Sequence, residues 1–171
     1  MGVDPQTDDV MSRRPRNLKD SVIDRPMWGD IVFIGVLMAA ITLIGMDMHL
    51  SGGLFTDRST TILSHAAQLT HARTMGFTIL VFAQMLNALA SRSHLQSVFV
   101  GLFANRWLWG AIGVSVVLQL AVIYIPFLNE PFGTVPLDWT EWFECLGLSM
   151  VVLIGSELRK CVLRFIANRK G

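Results

Sequence analysis

The sequence predicts an all-α integral membrane protein: a bundle of four transmembrane helices with cytoplasmic N- and C-termini. Three observations point there. Four apolar stretches, roughly 31–46, 74–90, 107–125 and 142–158, punctuate the chain. Each approaches the about 20 helical residues that cross a hydrocarbon layer about 30 Å thick. In such a layer every backbone N–H and C=O must be paired inside the segment, which makes each stretch helical. Composition agrees: the chain is 52% hydrophobic and 16% charged, with a mean hydropathy of +0.50, where a soluble domain is about 25% charged. Charge is also segregated. Of the 14 Lys and Arg residues, all but Arg58 and Arg73 fall in 1–30, 91–106 and 159–171. Basic loops stay inside, so both ends and the 91–106 loop are expected in the cytoplasm.

Residues 1–30 are polar and carry Arg13, Arg14, Arg16, Lys19 and Arg25, while Pro5, Pro15 and Pro26 oppose a long regular helix. They read as a cytoplasmic loop or tail. They hold no apolar core of a cleavable signal peptide, so the first span itself directs insertion. Residues 31–171 form the membrane domain, with spans at about 31–47, 73–91, 107–125 and 140–158. The first lies between Asp30 and Asp47, with Trp28 at its edge, and the second between Arg73 and Arg92. The third opens at Trp107 and Trp109 and closes at Tyr124 and Pro126, an interfacial aromatic pattern.

The fourth span is the weakest. Its uninterrupted apolar part, Cys145 to Gly155, covers only about 17 Å at the helical rise. It has to recruit Trp139, Trp142 and Phe143 at one end and Leu158 at the other, which puts Glu141 and Glu144 at the outer interface and Glu157 at the inner one. Residues 159–171 read as a basic amphipathic tail whose stripe of Leu158, Val162, Phe165 and Ile166 suits a membrane surface. The apolar run Ser97 to Ala104 is too short to cross and reads as an interfacial dip.

Polar residues inside spans are the first place to seek function. Gln84, Asn87 and Ser91 share one face of the second helix. Their amide oxygens can ligate a hard cation, which makes Gln84 and Asn87 the candidate metal residues; they can equally hydrogen-bond a neighbouring helix. Ser115 and Gln119 on the third helix read as interhelical glue, and Gly110, Gly113, Gly147 and Gly155 as points of close helix contact. Cys145 and Cys161 lie about 24 Å apart along one helix, beyond disulfide reach, and read as small side chains. The histidines, His49, His65, His71 and His94, show neither i, i+4 spacing nor a mid-membrane position, so they read as neither haem nor metal ligands. The sequence holds no P-loop, HExxH, zinc-type cysteine pattern or GxSxG, hence no catalytic residue and no cofactor site. Nothing suggests nucleic-acid binding.

Four passages carry a resemblance. They are MGVDPQTDDVMSRRPRNLKDSVIDRP at 1–26, ARTMGFTILVFAQMLNALASRS at 72–93, LQLAVIYIPFLNEPFGTVPLDW at 118–139, and the closing SELRKCVLRFIANRK. Together they resemble the C-terminal membrane region, helices seven to ten, of P-type cation-transporting ATPases of the calcium-pump-like branch. The resemblance implies that residues 1–30 are the cytoplasmic loop after a sixth helix. It implies a support role beside the helices that carry most ion ligands, with Met1 opening a fragment cut in a family loop. The family's DKTGT and TGE motifs are absent from these residues, so ATP hydrolysis and pumping are not expected of this chain alone. ATP, magnesium and the transported cation would belong to the parent pump. Gln84 matches the position where two-site members place a calcium-ligating glutamate, and an amide is the weaker ligand. Expected partners are membrane lipid and the remaining pump helices, in a multi-pass position in a bacterial plasma membrane. The alternative is a stand-alone four-helix membrane protein that binds or regulates a pump or another membrane partner.

Overall fold

A computed structural model describes residues 25–50, 53–54, 65–91 and 106–168. The 97–104 run and His94 lie outside the described residues. The described chain is all-helical: α1 (Arg25–Asp47), α2 (His65–Ala90), α3 (Arg106–Tyr124), α4 (Pro126–Phe132) and α5 (Trp139–Asn168). Three segments, Met27–Asp47, His65–Ala90 and Trp107–Tyr124, are long and apolar enough to cross a membrane. α5 is longer, at 30 residues, but carries Glu141, Glu144, Glu157, Arg159 and Lys160.

The helices overrun the apolar stretches that announced them. α1 starts at Arg25, because Pro26 is tolerated in a first turn where its missing N–H has no intrahelical role. α2 starts at His65 and carries Arg73 on its exposed side. The 126–140 connection is not simply a loop: α4 occupies its first half. Ile125 is extended ahead of Pro126, and Gly133 ends the turn at φ 59°, ψ 41°, a left-handed conformation that favours glycine. The basic tail is helical up to Asn168 as a direct continuation of α5, with Leu158, Val162 and Phe165 exposed.

α2 is the hub, packing against α1, α3 and α5, while α1 also packs on α5. Directions follow from the pairs. Asp30 near the start of α1 pairs with Arg159 late in α5, and His49 just past α1 meets Glu144 early in α5 at 3.2 Å, so these two helices are antiparallel. α2 and α5 are parallel and keep one register. Cys145 Sγ lies 3.6 Å from Met75 Sδ, Ser149 Oγ donates to the Ile79 carbonyl at 3.1 Å, and Lys160 Nζ donates to the Ala90 carbonyl at 2.7 Å. Each pair is 70 positions apart in sequence.

The core between these three helices holds Ile41, Met75, Ile79, Ala83, Cys145 and Val152. Glycines on all three helices admit large neighbours. A Cβ at Gly45 would meet Ile79, one at Gly76 would meet Met46, and one at Gly155 would meet Leu37. Gly155 therefore serves the close contact expected of it. Gly110, Gly113 and Gly147 have open space around them among the described residues and do not. Both cysteines are free, Cys145 buried and Cys161 exposed.

Candidate functional site

The polar groups of α2 fall into three zones. In the first, Thr70, Thr74 and Thr78 lie four residues apart, and the latter two return their hydroxyls to the carbonyls one turn back, Thr74 to Thr70 at 3.0 Å and Thr78 to Thr74 at 2.9 Å. That leaves each oxygen able to accept from another element. Gln119 Nε2 of α3 donates to Thr78 Oγ1 at 3.0 Å, and the Val135 N–H donates to Thr74 Oγ1 at 3.1 Å. Gln119 is thus the glue that the sequence suggested. Ser115 is half-buried, and its side chain makes no hydrogen bond among the described residues. The α3–α5 connection is tied back on itself as well. Thr134 Oγ1 donates to the Val122 carbonyl at 2.7 Å, Tyr124 OH to the Leu137 carbonyl at 2.8 Å, and Trp142 Nε1 to Tyr124 OH at 2.8 Å.

The second zone holds the candidate ion residues. Gln84 is exposed, and its side chain makes no hydrogen bond among the described residues. Asn87, three residues on, is half-buried and lines a cavity of about 330 Å³ where α1, α2 and α5 meet. Ser91, Asp30, Ser156, Arg159 and Lys160 share its wall. Asn87 and Ser91 are thus brought together with charged groups, while Gln84 is not among the lining. The charges there are engaged. Arg159 pairs with Asp30 and lies 5.5 Å from the Phe33 ring centroid. Lys160, 8% exposed, caps the last carbonyl of α2 and meets Glu157 at 3.0 Å. A cation at a helix C-terminus is favoured by both hydrogen bonding and the helix dipole.

The third zone, at the opposite end of α2, was missed by sequence reasoning. α1 closes in a turn in which the His49 N–H donates to the Met46 carbonyl at 3.2 Å, placing His49 beside α5. His71 Nε2 lies 2.9 Å from Glu141 Oε1, and the His49 and His71 rings are 5.2 Å apart between centroids, tilted at 52°. Glu141 is held from behind, since its Oε2 accepts the Asp138 N–H at 2.7 Å. Potential ligand atoms of His49, His71 and Glu141 all lie within 4.8 Å of one another. The partners are 22 and 70 residues distant in sequence, so no local spacing could announce them.

Residues 1–162 match the family model described as cation transporting ATPase, C-terminus. The chain belongs to that family. A calcium-transporting ATPase 1 from Bacillus cereus is 32% identical over 167 residues, covering 94% of this chain and 18% of the relative. The human calcium-transporting ATPase type 2C member 1 is 36% identical over 165 residues, covering 96% of this chain and 16% of the relative. A calcium-transporting ATPase 1 from Yarrowia lipolytica is 33% identical over 165 residues, with the same two coverages. The chain spans less than a fifth of the length of these curated relatives. As a cation-ATPase C-terminal domain with several helices able to cross a bilayer, it is a multi-pass membrane protein.

Proposed function

We propose that this domain is the terminal four-helix support of a calcium-transporting P-type ATPase in a bacterial plasma membrane. α1, α2, α3 and α5 each cross, and both termini lie in the cytoplasm. Support for the orientation comes from the basic residues, twelve of which the topology gathers on one side. Calcium is the cargo named for the relatives. ATP and Mg²⁺ would be handled by parts of a pump that carry the phosphorylation machinery, which these 171 residues lack.

One observation carries the reading: Gln84 is an exposed amide within the apolar stretch 74–90 of α2. An amide left without a partner in hydrocarbon costs several kcal/mol, so that flank of α2 calls for a polar neighbour. The helices that carry the cargo ligands are the fitting cover. Gln84 would face them from the matching position of the family's glutamate, with Asn87 behind it as a second candidate ligand. An uncharged oxygen dipole there suits a pump with one calcium site.

The test is reconstitution. Co-expression with the remaining helices of the pump should give co-purification and calcium-dependent ATPase activity. Gln84→Leu should then lower calcium affinity or block assembly. Unchanged affinity and turnover would remove Gln84 from the ion path. Insertion without recruitment of any P-type ATPase polypeptide would favour the free-standing regulator. A reporter fused after Gly171 that is active only outside the cell would overturn the topology.

A further inference from the structure

We propose that His49, His71 and Glu141 form a binding site for one divalent transition-metal ion of zinc type, with Glu144 beside it. The site sits where the end of α1 meets the beginnings of α2 and α5. It is distinct from the cargo position, because Gln84 lies thirteen residues further along α2, about 20 Å at the helical rise.

The chemistry of the donors selects the ion. Two imidazoles and one or two carboxylates are a mixed nitrogen and oxygen set, which suits zinc and its neighbours in the transition series. Calcium and magnesium favour oxygen alone. The spacing fits as well. Ligand atoms around a tetrahedral zinc lie about 3.3 Å from one another, given metal–ligand bonds of about 2.0–2.1 Å. Here His71 Nε2 and Glu141 Oε1 are 2.9 Å apart, and His49 Nε2 and Glu144 Oε2 are 3.2 Å apart. The potential ligand atoms of His49, His71 and Glu141 all lie within 4.8 Å of one another, a separation that side-chain rotation can narrow.

Orientation is built in. The backbone N–H of Asp138 holds the second oxygen of Glu141, the kind of outer contact that fixes a ligating carboxylate. All four side chains are partly exposed, between 11% and 25%, so an ion can enter from water. Once bound, it would join three helices through one centre.

The experiment uses the 171-residue chain, purified in detergent without a polyhistidine tag and in a Cys161→Ser background, so that Cys145 is the sole thiol. Zinc is titrated against a chelating dye, and cobalt is added separately to read coordination from its visible absorption. One zinc per chain is expected, with the intense cobalt bands of four-coordination. His71→Ala and Glu141→Gln should each weaken zinc at least about tenfold, whereas His65→Ala, outside the cluster, should leave it unchanged. Resistance of buried Cys145 to maleimide certifies that each variant is folded. No zinc uptake by a folded chain overturns the proposal, leaving two His–carboxylate pairs that fasten helices. So does uptake that survives both ligand substitutions.

Discussion

α3 and α5 differ in the opposite sense from simple expectation. α3 is apolar enough to qualify as a span, yet among its described side chains only Gln119 and Ile123 are buried, and Val114, Val117 and Leu118 are each at least 60% exposed. α5 is the more polar helix, yet it buries Cys145, Ser149, Val152, Ser156 and Lys160 along one face. Water supplies the force that hides apolar surface in a soluble protein. Lipid tails are as apolar as leucine, so membrane helices associate through small side chains, close packing and hydrogen bonds. High hydropathy therefore marks the face turned to lipid. Small and polar residues repeating at helical spacing mark the face turned to another helix.

The contrast can be broken by substitution, with maleimide labelling of Cys145 on heating as the readout. The largest effect is expected at the α2–α5 seam. Ser149→Leu overfills a site with no exposed surface and removes the bond to Ile79. Overpacking of this kind costs about 1–3 kcal/mol, and the lost hydrogen bond adds to it, so Cys145 should label at a markedly lower temperature. Lys160→Met comes next. It strips the donor from the final carbonyl of α2, and a buried acceptor left unmade costs about 1–3 kcal/mol. The smallest effect belongs to α3. Gln119→Leu deletes its bond to Thr78, worth about 0.6 kcal/mol for an average interhelical pair. Gly113→Ala, whose added Cβ would meet nothing within 4 Å, should leave labelling unmoved. If the α3 variants proved as damaging as Ser149→Leu, the distinction between the two helices would fall.

The sequence made some of this legible and concealed the rest for physical reasons. Three helices long and apolar enough to cross were visible because a hydrocarbon solvent demands such helices, and Gln119 was visible as a lone amide among apolar neighbours. The seam of α5 was readable in principle from residues 145, 149, 152, 156 and 160, which recur at intervals of three and four. A search for apolar runs passes over that stripe because it consists of small and polar side chains. The threonine ladder of α2 was legible in the same way and equally quiet. The helix ends escaped because Pro26 can start a helix and the basic end of α5 can extend one beyond the apolar window. His49, His71 and Glu141 escaped for a different reason: they meet only after three helices have docked, and nothing within a few residues of any one anticipates the others.

The shared offset of 70 positions has a mechanical consequence. It holds from His71 and Glu141 through Cys145 and Ser149 to Lys160 and Ala90, a distance of about 28 Å along the axis. Sliding one helix by a single turn would have to break every one of those contacts together, with no partial slip available between them. The pair is therefore locked in translation. An element that shifted against the pair would move along a fixed rail, and any displacement of α2 would be copied onto α5.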